Sequence, residues 1–151
     1  MTDSVVDRGA PHHSEAAEHA AAAAELQARV TEACADVPEA RRSTCPLAGG
    51  GQFKEVEGRV EIALPSSAGT AEELTKAVEC HRAHMAFDGL EHAPSCPLAV
   101  QGATATATAG RRGSITLRIA AEGDEQVAEV RRRVQAMPDL TAATHHGAHH
   151  H

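Results

Sequence analysis

The chain has no Trp, no Tyr and only two Phe among its 151 residues. Aromatic side chains normally bury the largest apolar areas of a core, so Val, Ile, Leu and Ala must form this one. The length suits one compact domain or two small repeats that share a core. Because an aliphatic core of this size is thin, a bound metal or a homodimer interface would supplement its stability.

The sequence also lacks an excess of positive charge and any long apolar run. Its formal net charge is −7 with His counted as neutral, whereas a nucleic-acid-binding protein needs a basic patch. No apolar run approaches the ~18 residues of a membrane span, and residues 1–15 lack the apolar core of a signal peptide. We therefore expect a cytoplasmic protein with no nucleic-acid or membrane partner, in which the Cys residues are thiols.

Motifs of the common enzyme classes are missing as well. The chain has no Gly-x-Ser-x-Gly, no P-loop, no dinucleotide fingerprint and no His-Glu-x-x-His. It also has no convincing pair of carboxylates for acid–base catalysis. The sequence therefore favours a binding protein over a hydrolase, a kinase or a dehydrogenase.

A short motif that occurs twice is the most informative feature that is present. The tetrapeptide Cys-Pro-Leu-Ala at residues 45–48 recurs at residues 96–99. Each copy is followed by a Gly-x-apolar-x-apolar-x-apolar run, at 58–64 and at 113–119, and then by an amphipathic helix. Such self-similarity defines a structural unit, which here is Cys-Pro, β-hairpin and helix.

Capping signals and hydrophobic periodicity predict three helices and two hairpins. Ser14 is a good N-cap for the first helix, Thr70 opens a capping box for the second, and Gly89 would end the second. Alternating apolar residues indicate the strands of the hairpins. The predicted ranges are 14–35, 70–88 and 124–137 for the helices, and 52–64 and 103–119 for the hairpins.

Two hairpins that each have one apolar face can join into a single sheet that the helices cover. We predict an α+β fold in which two tandem Cys-Pro/β-hairpin/helix repeats form a four-stranded antiparallel sheet, preceded by an N-terminal helix. The predicted segments are a disordered arm at 1–13, the N-terminal helix and linker at 14–44, repeat 1 at 45–95, repeat 2 at 96–140 and a flexible His-rich tail at 141–151.

The densest set of potential metal ligands lies between the two Cys-Pro copies. Cys80 and His84 are one helical turn apart, about 40° around the axis, so their thiolate and imidazole can reach the same ion. His92 and Cys96 follow Gly89, where the chain can fold back. Zinc accepts such ligands in tetrahedral geometry, and soft sulfur ligands favour Cu(I). We predict that Cys80, His84, His92 and Cys96 bind one Zn or Cu ion, for a chaperone, storage or sensing role.

The other Cys, His and Met residues receive different interpretations. His81 and Met85 lie near the apolar stripe of the second helix, so we expect both to serve in packing. Cys34 and Cys45 form a degenerate copy of the site or contribute thiols to a shared one. The His-rich residues 145–151 would bind Ni, Zn or Cu by composition, as a native tail or as an affinity tag.

Three alternative functions fit the same residues. The helical Cys80 followed by Cys96-Pro97 resembles the arrangement of the organic-hydroperoxide-resistance (OsmC-like) family over residues 71–108. The resemblance implies a thiol-based peroxide-reducing protein with Cys80 as the peroxidatic thiol and Cys96 as the resolving thiol. The hairpin after each Cys-Pro and the missing N-terminal sheet depart from that family. The remaining alternatives are a haem sensor, in which a Cys-Pro thiolate ligates ferric haem, and an interaction module with buried cysteines.

Overall fold

The structure is a computed structural model that describes residues 2–42 and 44–143, with side chains from residue 15 onward. Four α-helices and five strands occur in this part of the chain, with short 3₁₀ turns between them. The helices are α1 (Thr2–Ala33), α2 (Glu39–Arg42), α3 (Ala71–Asp88) and α4 (Asp124–Ala136). The strands are β1 (Gly51–Val56), β2 (Arg59–Leu64), β3 (Thr104–Ala109), β4 (Ile115–Ala120) and β5 (Leu140–Ala142).

The five strands form one mixed sheet in the order β3-β4-β2-β1-β5. The predicted hairpins β1–β2 and β3–β4 are both present, and Gly58 supplies the positive φ of 74° in the first turn. The hairpins join because β2 pairs antiparallel with β4, with Leu64 opposite Ile115. β5 then pairs parallel with β1, with Leu140 opposite Gly51. The predicted fold class is confirmed, but the sheet is five-stranded and mixed instead of four-stranded and antiparallel.

The core lies on one face of this sheet. Alternation along β2 and β4 buries their apolar side chains, as the sequence pattern predicts. α3 packs over β3 and α4 packs over β2, while α1 lies against α3. The core contains Phe53 and Met85, and its other main side chains are aliphatic. These are Val60, Ile62, Leu64, Leu74, Val78, Ile115, Leu117, Ile119, Val130 and Val134.

The boundaries of α3 match the sequence signals closely. The hydroxyl of Thr70 accepts from the Glu73 N–H at 3.1 Å, and the Glu73 carboxylate accepts from the Thr70 N–H at 2.9 Å. These two bonds are the predicted capping box. Gly89 follows the last helical residue with φ 98°, a conformation that other residues rarely adopt.

The first helix and the last strand differ from the predicted boundaries. α1 begins at Thr2 instead of Ser14, because a Ser inside a helix costs only a few tenths of a kcal/mol and does not force a helix start. Residues 141–142, assigned to the tail, belong to β5. Ala143 of the predicted tail donates its N–H to the Phe53 carbonyl at 2.7 Å, and residues 144–151 lie outside the described residues. The mobility of the arm and the superposition of residues 45–87 on 96–137 stay predictions.

Candidate metal centre

The structure contains two clusters of Cys and His side chains, and α3 contributes residues to both. In each cluster three potential ligand atoms all lie within 4.8 Å of one another. We call them the thiol cluster, in which both cysteines are free, and the disulfide cluster, in which the cysteines are joined. The members are Cys45, His81 and Cys96 in the thiol cluster, and Cys34, Cys80 and His84 in the disulfide cluster.

The two copies of the Cys-Pro-Leu-Ala motif build the thiol cluster. Cys45 begins a turn after α2, and Cys96 immediately precedes a 3₁₀ turn. The Leu of each copy is anchored in the core, with Leu47 0% exposed and Leu98 2% exposed. His81 reaches the same place from the middle of α3. Three separate chain segments therefore converge on one half-buried point.

Backbone N–H groups lie beside both sulfurs. The Leu47 N–H helps to lower the pKa of the Cys45 thiol, and the N–H groups of Leu98 and Ala99 act in the same direction on the pKa of Cys96. The Ala99 N–H also donates to the Cys96 carbonyl at 3.1 Å. Because Pro has no N–H, the first donor after each Cys is two residues further on. Such hydrogen bonds favour a thiolate over a thiol. Each copy of the repeated motif therefore provides backbone N–H groups that favour the thiolate form of its Cys.

An arginine of α4 holds the loop that carries Cys96. The Arg133 guanidinium donates to the Cys96 carbonyl at 2.9 Å and to the Ala93 carbonyl at 3.3 Å. The Glu129 carboxylate accepts from the Arg133 Nε at 2.6 Å. These bonds fix the backbone on the N-terminal side of the second motif.

Cys45 and Cys96 behave as a pair that shares one proton. The pKa of Cys45 is lowered from 9.0 to about 4, and its hydrogen bond to Cys96 is the largest cause. Burial acts in the opposite direction, whereas His81 and the Leu47 N–H lower the pKa further. The same contact with Cys45, and then burial, raise the pKa of Cys96 above its usual range. At neutral pH the pair therefore carries one negative charge and one remaining proton, and the lowered pKa favours the charge on Cys45. The His81 Nε2 lies 3.7 Å from the Cys96 sulfur.

We expect Cys45 to react with iodoacetamide at pH 6, where an ordinary thiol reacts slowly. The thiolate is the nucleophile, and lowering the pKa of Cys45 to about 4 leaves it deprotonated at that pH. Peptide mass spectrometry of the metal-free protein should find the label on Cys45 and not on Cys96. In urea-unfolded protein both thiols regain ordinary pKa values, so labelling at pH 6 should slow. Faster labelling of Cys96 in the folded protein would contradict this assignment.

The disulfide cluster connects the end of α1 to α3. Cys34 and Cys80 form a disulfide, and the two residues are 3% and 1% exposed. They lie in a small apolar cluster with Val30 and Val37, separate from the main core. The expectation that the cysteines are thiols is therefore wrong for this pair. Cys80 is also not available as the peroxidatic thiol that the family resemblance implies.

The predicted ligands are distributed over different places in the structure. Cys80 and His84 belong to the disulfide cluster, and Cys96 belongs to the thiol cluster. His92 belongs to neither; its side chain is 71% exposed and lies 3.8 Å from the Glu91 carboxylate. The structure does not bring the four side chains together, so the predicted four-ligand site stays a prediction that this geometry does not favour.

Sequence reasoning assigned His81 to packing, and it gave Cys45 only a place in a degenerate copy of the site or in a shared one. His81 is seven residues after Leu74, on the helix stripe that faces the sheet, so it was assigned to packing together with Met85. Met85 is indeed buried in the core. The stripe also faces the two Cys-Pro loops, which is why His81 meets the sulfurs. The duplication of the motif was the available signal, because it places Cys45 and Cys96 in equivalent local structures.

A cavity of about 220 Å³ opens beside Cys45. Its walls include Leu64, Leu74 and the Arg41 side chain, whose guanidinium donates to the Ala68 carbonyl at 2.9 Å. The cavity is large enough for water or a small ligand. Of the thiol cluster, Cys45 lines this cavity.

The fold and the site define a small α+β protein with two Cys/His clusters at metal-binding distances, in one of which the two cysteines are joined as a disulfide. Comparison with protein-family models, curated proteins and solved structures gave no match. Among the described residues, no helix combines the length and the apolar character needed to cross a membrane.

Proposed function

We propose that this protein binds one soft transition-metal ion, Zn²⁺ or Cu⁺, through Cys45, His81 and Cys96. The observation that carries the proposal is the convergence of two Cys sulfurs and one imidazole within 4.8 Å of one another. Ligands of a tetrahedral zinc lie about 3.3–3.8 Å apart, given bond lengths of about 2.0–2.3 Å. The distance of 3.7 Å between the Cys96 sulfur and the His81 Nε2 falls within this range.

The charge state of the cluster supports the same function. A Cys binds a metal as the thiolate, and lowering the pKa of Cys45 to about 4 favours that form at neutral pH. A bound cation would displace the proton that Cys96 retains. The backbone N–H groups beside both sulfurs would then help to orient and stabilise the ligands, as outer-shell hydrogen bonds do in metal sites.

Three protein ligands leave one coordination position open. Structural zinc sites are closed by four protein ligands, whereas sites that exchange ligands keep one position free. The cavity beside Cys45 provides space for water, a small molecule or a ligand from a partner protein. We therefore propose metal transfer or sensing in preference to a purely structural metal.

The test is a zinc titration of a variant in which every His of residues 145–151 is Ala, which we call the Ala-tail protein. With its Cys34–Cys80 disulfide intact, it should bind one Zn²⁺ per chain, measured by competition with a chromogenic chelator. The matched control carries Cys45→Ser and Cys96→Ser as well, and it should bind none. Equal zinc uptake by both proteins, or no uptake by the first, would overturn the proposal.

A dithiol redox function is the second candidate, favoured by the hydrogen-bonded thiolate–thiol pair. The Cys45 thiolate would attack a hydroperoxide, breaking its O–O bond to give a Cys45 sulfenic acid and, with one proton from solvent, an alcohol. The Cys96 thiol would then displace water and form a Cys45–Cys96 disulfide. Peroxide added to the metal-free protein would produce a chain lighter by two hydrogens. If that disulfide forms rapidly while no metal binds, the redox function replaces the metal function.

A further inference from the structure

We infer that the Cys34–Cys80 disulfide masks a second metal site, formed by Cys34, Cys80 and His84 when the disulfide is reduced. The inference goes beyond the proposed function because it uses none of the residues of the thiol cluster. It starts from the placement of His84, whose ring nitrogen lies within 4.8 Å of both sulfurs. A disulfide alone does not require an imidazole beside it.

The backbone around these residues presents the ligands to one point. Cys80 and His84 are one turn apart on α3, so their side chains share a helix face. Cys34 follows α1, where its N–H donates to the Val30 carbonyl at 2.9 Å and its carbonyl accepts from the Val37 N–H at 3.0 Å. The Cα atoms of Cys34 and Cys80 are 4.7 Å apart. Rotation about the Cα–Cβ bonds can then separate the freed sulfurs to the ~3.8 Å that two thiolates on one zinc need.

An open groove reaches the cluster from the surface. Its walls include Cys34 and His84 together with Thr31, Glu39 and Arg42. The groove gives a small thiol reductant and then a metal ion a path to sulfurs that are otherwise almost fully buried. A metal site needs such an entry path in addition to its ligands.

The oxidised and the metal-bound forms exclude each other chemically. The sulfurs of a disulfide carry no thiolate charge, so the oxidised cluster offers His84 alone. A small thiol of the glutathione class attacks one sulfur, and the S–S bond breaks to give a mixed disulfide. A second small thiol displaces the first as a small-molecule disulfide, which leaves Cys34 and Cys80 as thiols. The metal then replaces the two thiol protons, which pass to solvent.

The consequence is a metal capacity that depends on redox state. Under oxidising conditions α1 is tied to α3 by a covalent bond, and the thiol cluster alone binds metal. Under reducing conditions a metal ion would take over the connection between the helices, and the capacity would rise by one ion per chain.

The test uses Co²⁺ as the probe and the Ala-tail protein with Cys45→Ser and Cys96→Ser, so that the thiol cluster is removed. The oxidised protein should show no thiolate-to-cobalt charge-transfer band. After reduction with dithiothreitol and its anaerobic removal, the band should appear at one Co²⁺ per chain. His84→Ala should weaken the binding at least ten-fold, whereas His92→Ala should leave it unchanged. A reduced protein without the band, or one insensitive to His84→Ala, would overturn the inference.

Zinc counts on the Ala-tail protein with all four cysteines keep the inference testable if the Ser variants do not fold. Two Zn²⁺ in the reduced form against one in the oxidised form would support it together with the proposed function. One Zn²⁺ in the reduced form against none in the oxidised form would support the second site while refuting the thiol-cluster site. Equal counts in both redox states would refute the second site.

Discussion

Cys45→Ser should lower the zinc affinity of the oxidised Ala-tail protein by about 100-fold or more. Structural zinc sites bind with about 10–16 kcal/mol, so one of the ligands is worth about 3 kcal/mol, which corresponds to roughly 100-fold. Cys96→Ser should weaken zinc binding to a similar extent, because both sulfurs are thiolates when the metal is bound. The measurement is a competition titration with a chelator of known affinity.

Two His variants provide matched controls for this result. His81→Ala should also weaken zinc binding, whereas His84→Ala should have little effect in the oxidised protein because His84 lies in the disulfide cluster. The sequence alone predicted the reverse, with His84 as a ligand and His81 in packing. If His84→Ala weakens binding as much as His81→Ala, the thiol cluster is not the site.

Reduction of the Cys34–Cys80 disulfide should lower the free energy of unfolding by about 2–4 kcal/mol in metal-free buffer. The bond closes a loop with a sequence separation of 46 residues, for which the chain-entropy model gives about 4 kcal/mol. The effect is large for this protein because a domain is typically stable by only about 5–15 kcal/mol. Urea unfolding of the protein without substitutions, with and without reductant and in the presence of a chelator, measures the difference.

A double variant separates the disulfide from other effects of the reductant. Cys34→Ala with Cys80→Ala should be destabilised in both conditions and should not respond to reductant. Cys45→Ala with Cys96→Ala keeps the disulfide, so it should respond to reductant as the unsubstituted protein does. An unsubstituted protein whose reduced form stays within about 0.5 kcal/mol of the stability of its oxidised form would contradict the assigned role of the bond.

Local signals in the sequence predicted much of the fold. The alternation of Val60 and Ile62 in β2 and the capping box at Thr70 reflect interactions between near neighbours, so they can be read from one segment. β5 could not be found in this way. It contains three residues, of which only Leu140 is buried, so it shows no periodicity and exists because β1 offers a free edge.

The candidate site was less predictable because it depends on contacts between distant segments. The i, i+4 spacing of Cys80 and His84 was interpreted correctly as a shared face, but the partner of that face is Cys34 on α1. Nothing in the spacing of Cys34 indicates that α1 packs there. The meeting of Cys45 with Cys96 likewise depends on the joining of the two hairpins through β2 and β4, which brings the repeated motifs together.

Zinc K-edge X-ray absorption of the oxidised, zinc-loaded Ala-tail protein tests the central claim most directly, because it counts ligands by element. The Cys34–Cys80 disulfide removes two of the four Cys sulfurs from consideration. We predict two sulfur ligands at about 2.3 Å, one imidazole nitrogen at about 2.0–2.1 Å and one further light atom. A zinc coordinated by nitrogen and oxygen without sulfur, or by a single sulfur, would contradict the assignment of Cys45, His81 and Cys96 as the metal site.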